Sequence, residues 1–200
     1  MIHEKIFIFD FGSQYTQLIA RRVRELNVYC EIIPYNKATQ LDDSVKGIIL
    51  SGSPSSVNDK NSPAFDTTLF PGNLPVLGIC YGAQLLAKNA GGRVRKSQNR
   101  EYGRAVLLKK NNSILLKNLK EESQVWMSHG DSIDKIPENF EIIASSQSVP
   151  VAAYKISSRP VYGLQFHPEV THTLEGIIIL KNFLLGICGC KQDWSAESFI

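Results

Sequence analysis

Apolar runs of strand length alternate with amphipathic stretches through the first half of the chain. Ile6 to Phe9 is one such run. From Gln14 to Leu26 the apolar residues Leu18, Ile19, Val23 and Leu26 fall at helical spacing, with Ser13 as a candidate N-cap. Val28 to Ile33, Gly47 to Leu50 and Pro75 to Ile79 predict three more strands, and Ala83 to Ala90 predicts a helix directly after the last of them. Strands alternating with helices predict an α/β fold, a mostly parallel central sheet flanked by helices on both faces. The second half changes rhythm. Short strand candidates at Ala105 to Leu108, Val125 to Met127, Ile142 to Ser145, Val151 to Ile156 and Val161 to Phe166 follow one another with turns between them, which predicts a smaller antiparallel portion. Thr173 to Leu185 closes the pattern as a helix, and the last dozen residues are polar and weakly patterned.

With 200 residues, 43% hydrophobic and 20% charged, the chain suits one globular domain with a sizeable core. The net charge of +3 is mild and its basic residues are dispersed, so neither nucleic acid nor a membrane surface is an expected partner. The densest basic stretch, Arg21, Arg22 and Arg24, lies in the first helical pattern beside Glu25 and reads as a solvated helix face. No run approaches the roughly 20 apolar residues that cross a bilayer, and the N-terminus has no signal-peptide pattern. A cytoplasmic location is the default expectation. Four cysteines, Cys30, Cys80, Cys188 and Cys190, form neither a CxxC pair nor a zinc-ligand set. Cys30 sits in an apolar strand and reads as core, and Cys188-Gly189-Cys190 as structural or incidental.

Cys80 has chemical surroundings. An apolar strand runs into Gly78-Ile79-Cys80-Tyr81-Gly82 and a helical pattern follows at once. This is the logic of a nucleophile elbow with cysteine in place of serine. Glycines at 78 and 82 allow the close backbone approach of a sharp turn. The turn lifts the thiol out at the carboxyl end of the sheet, over a helix N-terminus whose dipole favours thiolate. Taken alone, the same stretch also fits a buried structural cysteine beside a glycine-rich turn.

A base is available in Phe166-His167-Pro168-Glu169. On extended backbone, residues two apart point to one side, so His167 could take the thiol proton while Glu169 fixes its tautomer. Pro168 biases His167 toward that geometry. Three rival histidines are His3, at the terminus, His129, read as part of a loop after a strand and able to line the site, and His172, in a turn. Leu50-Ser51-Gly52-Ser53-Pro54-Ser55-Ser56 follows a strand with small residues, suited to aiming backbone N–H groups at an oxyanion, though an ordinary turn has the same composition. A phosphate loop fits it less well: the chain has no Gly-x4-Gly-Lys-Ser/Thr, and Pro54 removes a donor.

Together these stretches resemble the class I, triad-type glutamine amidotransferases, and within them the amidotransferase part of the GMP synthases. The resemblance rests on Asp10-Phe11-Gly12-Ser13-Gln14-Tyr15, Leu50-Ser51-Gly52-Ser53-Pro54, Gly78-Ile79-Cys80-Tyr81-Gly82-Ala83-Gln84, Trp126-Met127-Ser128-His129-Gly130-Asp131 and His167-Pro168-Glu169-Val170-Thr171-His172-Thr173. It covers essentially the whole chain. It implies a flavodoxin-like fold, glutamine as substrate, and its hydrolysis to glutamate and ammonia through a cysteine thioester, the ammonia serving amination of XMP to GMP. It also implies Cys80 as nucleophile, His167 as base and acid and Glu169 as orienter. Oxyanion donors would be the N–H groups of Ser53 and Tyr81. Gly52, Gln84, Ser128, Gly130 and Asp131 would bind the substrate. Where the family has Gly-Gly-Pro, this chain has Gly52-Ser53-Pro54; a donor survives, but the loop's freedom to move is in question. Residues 1–188 are expected to form the amidotransferase domain, and 189–200 a linker or tail toward a synthetase part. That part, whether a domain or a separate chain, would carry ATP and magnesium; no cofactor is expected in this chain. Competing readings are an amidotransferase serving anthranilate, CTP or carbamoyl phosphate synthesis, a γ-glutamyl peptide hydrolase, and a non-catalytic interaction module on the same scaffold.

Overall fold

Alternation within the first strand shows how the sheet is built. In β1 (Lys5–Asp10), Ile6 and Ile8 face one hydrophobic layer while Phe7 and Phe9 face another. A strand buried on both sides requires helices on both faces. The computed structural model describes residues 4–37, 41–67 and 70–195, with the side chains of 98–101 excepted. His3 therefore lies outside the described residues.

The described strands form one nine-stranded sheet. Besides β1 these are β2 (Tyr29–Pro34), β3 (Val45–Leu50), β4 (Val76–Ile79), β5 (Arg93–Lys109), β6 (Glu122–Lys135), β7 (Phe140–Ser145), β8 (Ala153–Ile156) and β9 (Val161–Leu164). Their order is β2-β1-β3-β4-β9-β8-β7-β5-β6. The pairs from β2 to β9 are parallel, and those from β9 to β6 antiparallel. The amphipathic helix α1 (Thr16–Glu25) and the C-terminal helix α3 (Gly176–Lys181) cover one face. Helix α2 (Tyr81–Asn89) covers the other, buried through nearly its whole length. Among the described residues no helix is long and apolar enough to cross a membrane.

Four local expectations need correction. Ser13 is not the cap of α1: the helix begins after Tyr15, and the Ser13 hydroxyl instead accepts from the Tyr15 N–H at 3.1 Å in the preceding turn. His129, Gly130 and Asp131 are not a loop. They lie within β6, which pairs with β5 in a hairpin much longer than the apolar runs at Ala105 and Val125 suggested. The polar residues of that hairpin, from Arg93 to Arg104, gave no alternating signal. The helix expected over 173–185 begins at Gly176 and passes after Lys181 into a wider π turn, Asn182–Ile187. The arginines of α1 are also more than a solvated face. Arg21 and Arg22 pair with Glu25, but Arg22 Nε also donates to the Glu169 carbonyl at 3.0 Å.

Residues beyond Cys188 pack on the end of the sheet away from the tip of β4. Cys190 is buried in the α1/α3 layer, and the Trp194 N–H donates to the Asn27 carbonyl at 3.1 Å. Cys30 is buried in the same layer, its thiol pushed up to about 11 by burial.

Candidate active site

The tips of the parallel strands carry the site. Between β1 and β3 the chain's connections diverge to opposite sides, and such switch points are where open α/β sheets hold ligands. At the end of β1, Asp10 Oδ1 accepts from the Gly12 N–H at 2.9 Å and the Thr16 hydroxyl at 2.7 Å, folding Gly12–Tyr15 into one wall. At the end of β4 the backbone turns at Cys80, with φ +51° and ψ −102°. That left-handed conformation is costly for a non-glycine residue and marks a strained turn. The turn is held by the Cys80 N–H on the Leu164 carbonyl at 2.7 Å and the Gly82 N–H on the Ser51 carbonyl at 3.1 Å. Its glycines are required. A Cβ on Gly78 would lie 2.6 Å from the Ala83 nitrogen, and one on Gly82 would lie 2.6 Å from Leu50 Cβ and closer still to the Leu50 carbonyl.

After β9 the chain brings His167 to the cysteine. Glu169, fully buried, places Oε1 2.7 Å from His167 Nδ1. Nε2 is thus the ring nitrogen left for the thiol, and Cys80 and His167 are hydrogen-bonding partners. Burial alone would push His167 down. The Glu169 carboxylate and the bond to Cys80 outweigh it and hold the imidazole well above its ordinary value of 6.5. The backbone around His167 is pinned as well. Its N–H donates to the Trp126 carbonyl at 3.1 Å, and its carbonyl accepts from the Thr173 hydroxyl at 2.6 Å, which itself accepts from the Trp126 N–H at 3.0 Å.

A cavity of about 520 Å³ opens above Cys80. Nine of the ten residues singled out from sequence line it: Cys80, His167, Ser53, Tyr81, Gly52, Gln84, Ser128, Gly130 and Asp131. Glu169 sits behind His167. Gln84 donates from Nε2 to the Asp131 carbonyl at 2.8 Å, and the Asp131 carboxylate accepts from the Ser56 hydroxyl. The Ser53 hydroxyl accepts from the Ser55 N–H at 3.2 Å, tightening the oxyanion loop.

His129 also lines the cavity but is 4% exposed, and burial pushes it down to about 4, so it is neutral at physiological pH. His172 stacks against Trp126 with ring centroids 4.6 Å apart, away from the cysteine. Four residues of the site escaped the sequence reading. Tyr15 packs its edge against the His167 ring at 5.1 Å, Lys96 and Tyr102 reach the cavity from β5, and Gln165 is buried with Nε2 4.0 Å from the Cys80 sulfur. For Gln165 a signal existed: a lone amide in an apolar strand two residues before the histidine. Lys96 and Tyr102 had none, because the hairpin that delivers them was not legible.

A family model described as glutamine amidotransferase class-I matches residues 7–187. Glutamine-hydrolyzing GMP synthases of Cytophaga hutchinsonii and Bacteroides fragilis are 60% and 56% identical to the chain, over 98% and 100% of its length. The chain spans about two fifths of the length of these curated relatives, 39% of each. A Thermoplasma acidophilum protein whose crystal structure is described as that of one GMP synthase chain is 31% identical with a TM-score of 0.79, and the match covers 94% of both chains. A glutamine amidotransferase of Thermotoga maritima, at 20% identity and a TM-score of 0.67, shares the fold.

Proposed function

The chain belongs to the class I glutamine amidotransferases, and from that premise we propose that it hydrolyses glutamine to glutamate and ammonia for a synthetase that aminates XMP to GMP. The observation that carries the chemistry is the alignment of Glu169, His167 and the strained Cys80 turn at the floor of one cavity.

Cys80 Sγ attacks the side-chain amide carbonyl of glutamine while His167 Nε2 takes the thiol proton. Glu169 holds the opposite N–H and favours the imidazolium that forms. The N–H groups of Ser53 and Tyr81 stabilise the tetrahedral oxyanion. His167 then returns the proton to the leaving nitrogen, ammonia departs, and a thioester remains on Cys80. Water, deprotonated by His167, attacks the thioester carbonyl. The C–S bond breaks, the thiol recovers its proton, and glutamate is released. Gly52, Gln84, Ser128, Gly130 and Asp131 position the substrate, with the Asp131 carboxylate suited to the α-ammonium group. The partner is supported by the two named GMP synthases, whose remaining three fifths would hold the synthetase; ATP and magnesium are assigned there.

Glutamate release measured for three variants tests the triad. Cys80→Ala loses turnover, His167→Ala loses nearly all of it, and Glu169→Ala retains more than either, since an orienter contributes less than nucleophile or base. Parental turnover in Cys80→Ala would remove the mechanism.

A further inference from the structure

Ser51 immediately follows β3, is fully buried, and has no role in the steps above. All of its polar atoms are engaged. Its hydroxyl accepts from the Phe11 N–H at 3.1 Å and donates to the Gly52 carbonyl at 2.9 Å. Its backbone N–H donates to the Phe9 carbonyl, and its backbone carbonyl accepts from the Gly82 N–H, each at 3.1 Å. One residue thus joins the end of β1, the oxyanion loop and the first turn of α2.

A trans peptide is a rigid plane whose C=O and N–H point in opposite directions. The Gly52 carbonyl and the Ser53 N–H belong to the same peptide, so whatever holds that carbonyl also aims that N–H. Gly52 itself contributes no side-chain restraint and has the widest backbone freedom. A Cβ there would meet Ser13 Oγ at 3.4 Å and His167 Cε1 at 3.5 Å, which places the peptide beside the base.

We propose that Ser51 is a positioning residue for the oxyanion hole. Its hydroxyl locks the Gly52–Ser53 peptide with the Ser53 N–H turned to the cavity, and its carbonyl, through Gly82, sets the spacing between that donor and the Tyr81 N–H. The inference rests on the reading of Ser53 and Tyr81 as the two donors. Burial makes the hydroxyl hard to replace, because water has no access to the Gly52 carbonyl. A purely structural account, in which Ser51 serves only to satisfy the Phe11 N–H, predicts lost stability without a selective loss of oxyanion binding.

The test uses an equilibrium mimic of the tetrahedral state. Glutamate γ-semialdehyde adds to the Cys80 thiol: an S–C bond forms, the aldehyde π bond opens, and the thiol proton passes by way of His167 to the new oxygen. In Ser51→Ala, calorimetry is expected to find this adduct weakened about tenfold to a hundredfold, less than or equal to the loss of an oxyanion donor itself. Alkylation of Cys80 by iodoacetamide, which forms no oxyanion, keeps its parental rate. Ser51→Thr, which retains the hydroxyl, recovers most of the aldehyde affinity. Parental aldehyde affinity in Ser51→Ala overturns the proposal, and so does an equal fall in alkylation or a Ser51→Thr variant as weak as Ser51→Ala. Aldehyde capture by Cys80→Ala would instead bring down the thioester reading and the nucleophile with it.

Discussion

At the scale of single residues, Ser53 separates what a backbone donor needs from what a side chain adds. The proposed donor is the Ser53 N–H, which does not depend on the hydroxyl. That hydroxyl instead holds the Ser55 N–H and stiffens the loop. Ser53→Gly is therefore expected to keep glutaminase activity, or to raise it by freeing the loop. Ser53→Pro, which has no N–H, is expected to lose activity on the order of a hundredfold while iodoacetamide still labels Cys80. Normal turnover by Ser53→Pro would place the oxyanion hole elsewhere. His167 makes a second residue-scale prediction. Its imidazole is raised in the fold by Glu169 and Cys80 against the opposing effect of burial, so the native state binds the proton more tightly than the unfolded chain. That contribution to stability is complete below the unfolded value near 6.5 and is lost as pH rises through the raised folded value. Glu169→Gln removes the carboxylate responsible. The gap in unfolding free energy between parent and Glu169→Gln, read from urea titrations across pH, should be widest under acid conditions and narrow toward alkaline pH. A gap that widened with rising pH would contradict this assignment.

Among the elements, the elbow between β4 and α2 has the least tolerance. Gly82 lies directly against the backbone of β3 at Leu50, with no room for a methyl group. Gly82→Ala must push α2 away from the sheet, at a cost of about 1–3 kcal/mol typical of overpacking. Because the Gly82 N–H also anchors α2 to Ser51, the same shift should slow labelling of Cys80. An unchanged urea midpoint together with unchanged labelling would show that the sheet yields more easily than the contacts imply. Elements whose pattern was legible before folding were those with an apolar face: β1, α1, β3, β4, α2 and β9 each lie within a few residues of their expected bounds. The β5–β6 hairpin was not legible. Its first half is polar, and its pairing over Lys96 to Leu108 is set by a partner strand rather than by local alternation. That is why Ser128, Gly130 and Asp131 could be named as site residues but were assigned to the wrong kind of backbone.

For the whole molecule, the site and the C-terminal run lie at opposite ends of the sheet, since residues 191–194 bond to Glu4, Leu26 and Asn27 while the cavity crowns the strand tips. Coupling to a synthetase would then pass through the sheet or around it rather than along a short tether. The chain alone is expected to hydrolyse glutamine slowly and to speed up when the synthetase part is supplied, as sites completed by closure do. It is also expected neither to bind ATP nor to make GMP. A glutaminase rate indifferent to the partner, or micromolar ATP affinity by calorimetry, would count against that division of labour. The sequence by itself determined the α/β class, the elbow at Cys80 and the His167-Pro168-Glu169 pair, because each depends on short-range geometry: strand period, the turn that two glycines permit, and the two-residue repeat of extended backbone. Only the tertiary structure decided which of the remaining polar groups meet the cysteine. Gln165, Tyr15, Lys96 and the Arg22 contact to Glu169 come from strands and a helix far apart along the chain, and Ser51 becomes a hub only when β1, β3 and α2 converge. No local pattern encodes that convergence, because it follows from the order in which the strands join the sheet.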